Sequence, residues 1–381
     1  MKAPRAGRTR TSWSGLTFLL FFISTVSPLW AQNEAFRIRG VGAAEGSNFD
    51  VRRSALQAAF QNAIQQVLDV KIAEPDLATN RRILRYAERY IPNYTVVEQS
   101  QGAEGVTISI DAEVDQETLE YDISALILPR LTTPPSVQFI LAEDHDGTAR
   151  LATRNSGTAQ TIFDAGLENL KVEGHSPEEL LDMFSEATLL EAIYGDVAAA
   201  SQIARAALTD TVVMGRISVS ALAASPGSPM LEHTAQAALR VFRTSDGKML
   251  DDITSRAVVL SRPEISGSDQ AIEDACKKLI GPTVVAAVMT VVSDQPKDRV
   301  IITVETPQSQ ENWTSIKDAL TQDAAVFSVE DLFFTEKRAR LRLAYDGPMG
   351  HLADLLSGLP VHGGTLTVDR AVGRNMTVSL H

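Results

Sequence analysis

The chain has 381 residues, 48 of them acidic and 35 basic, for a formal charge of −13 at pH 7. That balance excludes the basic surface that binds nucleic acid, and 44% hydrophobic with 6% aromatic residues fits packed α and β domains rather than a disordered chain. A single cysteine, Cys276, excludes an intramolecular disulfide, so stability rests on packed cores.

The N-terminus carries Lys2, Arg5, Arg8 and Arg10, then the apolar run Leu16–Val26, then Ser27-Pro28-Leu29-Trp30-Ala31, with no acid before Glu34. This is the charge, core and exit pattern of a secretory signal peptide over residues 1–31, cut after Ala31. The core is shorter than the roughly 20 apolar residues of a membrane span. Leu29 is larger than the residue preferred two positions before a cut, and retention would leave an N-terminal anchor. No cysteine lies near the cut, which disfavours a lipid anchor. The expected location is periplasmic, away from ATP, NAD and nucleic acid, with no integral span after cleavage.

Two Pro-containing junctions divide the remainder, Pro129–Pro135 and Ser293–Asp298, because neither can continue a helix or a central strand. The first segment, 32–130, opens with the alternating strand Phe36–Gly42. A helix follows from a cap at Asn48 or Asp50, with Val51, Ala55, Ala59, Phe60, Ala63, Ile64, Val67 and Leu68 at helical spacing. A second amphipathic stretch runs from Asp76 to Arg89. Strands are expected at Tyr94–Glu98 and Val106–Val114.

The middle segment, 136–292, begins with the apolar strand Val137–Leu141. Helices are expected near 158–171, 177–192 and 197–208, the second announced by Ser176 as cap, Pro177 at the first helical position and Glu178-Glu179 behind it. Strands follow at Thr211–Ser220, Glu232–Thr244 and Met249–Leu260, the last two joined by the turn Ser245-Asp246-Gly247-Lys248. A helix over about 268–292 closes the segment, with Cys276 on its apolar face beside Ala271, Ile272, Ala275, Leu279 and Ile280. A buried, inert thiol is the expectation.

The final segment, 298–381, reads strand, helix, strand, strand, helix, strand: Arg299–Glu305, Gln310–Gln322, Ala325–Thr335, Lys337–Tyr345, Met349–Leu356 and Thr365–Val368, with a further strand at Met376–Leu380. That order is ferredoxin-like. The fold class expected for the whole is α+β, with three small mixed domains in series.

Several motifs suggest chemistry and fall short of it. Gly40-Val41-Gly42-Ala43-Ala44-Glu45-Gly46 has its third glycine one place late for a dinucleotide fingerprint, and reads as a tight strand-to-helix connection. Glu143-Asp144-His145-Asp146-Gly147 lacks the alternating oxygen ligands of a calcium loop, and reads as a solvated loop. The six histidines, 145, 175, 233, 351, 362 and 381, form no zinc pair. Ile265-Ser266-Gly267 lacks the first glycine of a nucleophile elbow. Asp251-Asp252 point to opposite faces of a strand, and Glu178-Glu179 sit at a helix start. No catalytic, cofactor-binding or metal residue is named, and the chain reads as a non-enzyme.

The first segment carries a resemblance. Gly40-x-Gly42, then Arg52-Arg53-x-Ala55-x-x-Ala58-Ala59, then Tyr90-Ile91-x-x-Tyr94-x-Val96 and the strand Val106–Val114 together resemble the N-terminal domain of flagellar assembly protein T. That resemblance implies a periplasmic protein of the H-ring around the flagellar basal body. In the middle segment, Asp210–Ile217 and Leu239-Arg240-Val241-Phe242-x-x-x-Asp246-Gly247-Lys248 are similar to the N-terminal domain of the Tol–Pal translocation protein B. Curli-secretion-type outer-membrane assembly proteins share a related pattern. The final segment departs from the flagellar family, which ends in a smaller β-rich module. The partners so implied are envelope or flagellar basal-body proteins, or further copies of this chain as a homo-oligomer. The alternatives are a periplasmic ligand- or peptidoglycan-binding module and a secretion-system accessory protein.

Overall fold

The computed structural model describes residues 36–381 except 47–48, 73–76, 103–104, 132, 146, 154–155, 227, 264–265, 294–298 and 373. The leader 1–31, Asn48, Asp146, Ile265 and all of the second junction after Ser293 lie outside the described residues. The described chain is α+β, built on three sheets.

The first sheet is antiparallel in the order β1 (Phe36–Glu45), β3 (Gly105–Val114), β2 (Asn93–Gln101). Between β1 and β2 the chain forms α1 (Phe49–Lys71), α2 (Leu77–Arg85) and a short 3-10 turn at Ala87–Tyr90. The glycines of β1 serve packing, not the connection alone. A Cβ on Gly42 would lie 2.1 Å from the Ala55 carbonyl oxygen, and one on Gly40 would lie 2.2 Å from that of Ala59. Small residues on both sides thus let the α1 backbone rest directly on β1. In the first segment a helix appears that the sequence reading does not anticipate, α3 (Gln116–Ile127), whose cap Asp115 accepts from the Thr118 N–H at 3.0 Å.

The middle sheet has the order β5 (Thr148–Leu151), β4 (Ser136–His145), β7 (Thr211–Ala223), β8 (Leu231–Arg243), β9 (Met249–Ser261). The short β6 (Glu173–His175) pairs with β4 in parallel, as does β7. On one face lie α4 (Thr158–Asn169) and the long α8 (Gly267–Ser293), burying Phe139, Phe163, Leu239 and Cys276. The expected single helix over 177–192 is instead α5 (Glu178–Leu181) and α6 (Glu186–Ile193). Ser185 starts the second piece by accepting from the Thr188 N–H at 3.1 Å. Ser176 does not cap the first; Pro177 takes that place with no side-chain bond. With α7 (Val197–Ala206), α6 covers part of the other face over Ile140, Met214 and Phe242. The far end of α8 contributes Met289 to the core of the first segment. One helix therefore belongs to both cores.

The third sheet has the order β11 (Val326–Phe334), β12 (Arg338–Tyr345), β10 (Arg299–Glu305), β15 (Asn375–Leu380), β14 (Gly364–Val372), β13 (Pro360–Val361). Helices α9 (Gln310–Thr321) and α10 (Met349–Leu356) bury Trp313, Ile316, Leu352 and Leu356 with it. The elements are those of the plait, but the strand beside β10 is β15, running parallel to it, where a plait would place β14. Burial explains the exchange. Met376, Val378 and Leu380 alternate as buried side chains on β15, whereas β14 buries Leu366. The sequence favours β15 for the inner position, because it holds no charged residue whereas β14 carries Asp369 and Arg370.

Candidate interaction surfaces

The sequence motifs that hinted at chemistry resolve into structure. Glu143 is buried at the end of β4, and its Oε1 accepts from the Ala159 N–H at 2.6 Å, in the first turn of α4. Gly157, the cap residue there, has no side chain to offer, so the carboxylate from β4 supplies the missing acceptor. Asp144 stands 3.8 Å from Arg216. His145 is about half exposed. Among the described residues no three His, Cys, Asp or Glu side chains gather in metal-binding reach. The Cys276 thiol is fully buried, and burial, with the Glu143 charge behind it, pushes its pKa up to about 12. Such a thiol is inert at neutral pH.

One serine–histidine cluster went unnoticed in the sequence, because its members are 28 and 35 positions apart. His233 on β8 is buried, with Nε2 at 2.9 Å from Ser261 Oγ and Nδ1 at 2.9 Å from Ser268 Oγ. Both ring nitrogens are taken by hydroxyls, and among the described residues no carboxylate orients the ring as a nucleophilic site requires. The cluster ties β8 and β9 to the first turn of α8.

The remaining distinctive features are surfaces. In the first sheet α1 covers one face. The other presents Arg37, Arg39, Val41, Thr107, Ser109, Asp111 and Glu113, exposed or half-buried. Arg39 Nε donates to Asp111 Oδ1 at 3.0 Å across this open face, and that hydrogen bond holds the Asp111 carboxyl below its ordinary range. Every residue of β2 is exposed.

In the middle sheet, α6 and α7 stop short of the β7–β8–β9 end. There Leu222, Val258 and Leu260 are 71%, 49% and 58% exposed. β9 is the sheet's outer strand, 13 residues long, with no strand beyond it among the described residues. Two of its main-chain groups are met by side chains instead. Asp251 Oδ1 accepts from the Asp252 N–H at 2.8 Å, and Lys278 Nζ donates to the Arg256 carbonyl at 2.6 Å.

In the third segment a groove of about 820 Å³ runs between α9 and the end of α10, lined by Glu311, Thr314, Asp318 and Gln322 on one side and Leu355 and Leu359 on the other. The opposite side of this segment is spent on docking. Phe333 enters the core under α6 and α7, its ring 5.9 Å from that of Phe184. Arg340 is buried beside it and donates to main-chain carbonyls at the end of α7.

No protein-family model and no curated protein matches the chain. Among solved structures, it is similar to the lipoprotein GNA1162 from Neisseria meningitidis at 13% identity, over 39% of this chain and 99% of that one, with a TM-score of 0.26. It is similar to a PelC dodecamer from Paraburkholderia phytofirmans at 13% identity, over 41% and 92%, with a TM-score of 0.25. The LpoB C-terminal domain from Salmonella enterica gives 13%, 37%, 97% and a TM-score of 0.19. Likeness at this level assigns neither a family nor an activity to the chain.

Proposed function

We propose that this chain is an exported, non-enzymatic cell-envelope protein that works by surface complementarity in an envelope assembly. The flagellar basal body is the first machine to test. The observation that carries the reading is the N-terminal order of basic residues, short apolar core and small-residue exit, Lys2 to Ala31. The distribution of side chains supports the rest. Its polar groups are spread over open sheet faces and strand edges, while the buried Glu143, His233 and Cys276 are each satisfied or shielded within the fold.

Deleting the gene and scoring swimming and basal-body integrity tests the flagellar part. Loss of motility restored by the complete gene is expected, and normal flagella and swimming overturn it. A second reading, a periplasmic ligand- or peptidoglycan-binding module, is favoured by the groove between α9 and α10 with its convergent polar rim. Co-sedimentation with purified peptidoglycan sacculi supports it, and a chain left wholly in the supernatant removes it.

A further inference from the structure

We propose that the outer edge of β9 is a two-fold interface at which a second copy of this chain adds its own β9, antiparallel, to make one continuous sheet across both molecules.

The edge is available and turned the right way. Asp252 N–H and Arg256 C=O are met by the side chains of Asp251 and Lys278, so these groups face away from β8. By the alternation of a strand, Thr254 between them turns its N–H and C=O outward as well. These are the groups that a paired strand would use.

The sequence of β9 is complementary to itself in that arrangement. With the two-fold axis at Thr254, each Thr254 faces the other, and each Asp252 faces an Arg256 of the second copy. One step further out, Leu250 falls opposite Val258. All five side chains are exposed. Among the described residues no ion pair engages Asp252 or Arg256 within the chain. Opposite charges directly across an antiparallel pair stabilise it and like charges oppose it. The symmetry doubles the charge pair and the apolar pair on either side of the single Thr254 contact. The outer strand β2 of the first sheet lacks this property, since it holds Glu98 and no basic residue. In the single molecule Lys278 and Asp251 stand in for the missing strand, and pairing releases both to solvent. Leu222, Val258 and Leu260 then lie on the same exposed face of the joined sheet.

Sedimentation or light-scattering mass of the complete chain tests the proposal. The native chain is expected to be dimeric at micromolar concentration. Asp252→Arg and Arg256→Asp each put like charges in register twice and should weaken the dimer by roughly tenfold or more. Mixing the two variants restores both pairs, so a heterodimer should form where neither variant pairs with itself. Thr254→Cys should cross-link under mild oxidation, because facing residues in this register have Cα atoms about 5.5 Å apart, within disulfide range. The native thiol, Cys276, is buried and does not compete. Unchanged far-ultraviolet dichroism in each variant excludes misfolding as the cause. A native chain that stays monomeric at about 100 µM overturns the proposal, as does an oligomer that neither charge reversal weakens. Export and motility are separate readouts, so a failure here leaves the envelope reading standing, and the reverse holds as well.

Discussion

Arg340, on β12, donates from its Nη1 to the main-chain carbonyl of Arg205 at 2.8 Å, and from the same nitrogen to that of Ala207. Both acceptors lie where α7 ends, among carbonyls that no further helical turn satisfies. A cation at a helix C-terminus also meets the negative end of the helix dipole. Burial, followed by the neighbouring Arg338 charge, pulls the guanidinium pKa down to about 10, which leaves it charged at neutral pH. Among the described residues its Nε has no hydrogen-bond partner. The contact thus joins the third segment to the second at a desolvation cost that two charge-assisted bonds offset. Arg340→Ala should lower stability by about 2–3 kcal/mol, the loss expected when hydrogen bonds to a buried charge are removed. Arg340→Lys should recover part of that. Urea unfolding followed by tryptophan fluorescence reads the stability of this segment, since Trp313 lies in its core.

Gly42→Ala tests the close approach of α1 to β1. The added Cβ would meet helix backbone at 2.1 Å, which no side-chain rotation relieves. A loss of about 1–3 kcal/mol is expected for such overpacking, seen as a lower melting temperature. Gly102→Ala, where nothing lies within 4 Å, should not reproduce it. Equal melting temperatures for Gly42→Ala and the native chain would count against the packing described.

Cys276 should resist thiol reagents at pH 8 in the folded chain and react once unfolded, with one thiol counted per molecule. The sign of its pH effect follows from the raised pKa. Unfolded, the thiol ionises near its ordinary value of 9.0; folded, it stays protonated to about 12. Stability from this group is therefore complete below pH 9 and is lost as pH rises from 9 toward 12. Cys276→Ala should flatten that part of the stability profile.

Asp115 gives the opposite sign. The Thr118 hydroxyl and then its N–H hold this carboxyl below its ordinary range. Its contribution is present above about pH 4 and is lost as pH falls below the ordinary value of 3.8. Asp115→Ala should cost about 1 kcal/mol at pH 7, as for other helix caps, and less in acid; Asp115→Asn should retain much of the cap.

Much of the fold was legible in the sequence because periodicity reports local burial. The alternation of Val106–Val114 and the spacing of Val51 to Leu68 survive almost residue for residue as β3 and the buried face of α1. The terminal strands and helices of the third segment likewise fall within a few residues of the expected bounds. Helix α3 was missed although Asp115 and Thr118 supply a cap signature, because only Leu119 and Ile123 mark its buried apolar side. The inner position of β15 was not legible, since strand order depends on which of two neighbouring strands buries more, a tertiary comparison. The interaction features were the least legible. Arg340 is one of many arginines until α7 is seen to end against it, and β9 reads as an ordinary strand until nothing is found beyond its edge.

Export, on which the proposed function rests, has one direct measurement. The chain is isolated from the periplasmic fraction of cells expressing the complete gene, and its N-terminal sequence is determined. The mature protein is expected to begin at Gln32. An intact Met1 on a chain recovered from the cytosolic fraction would contradict it.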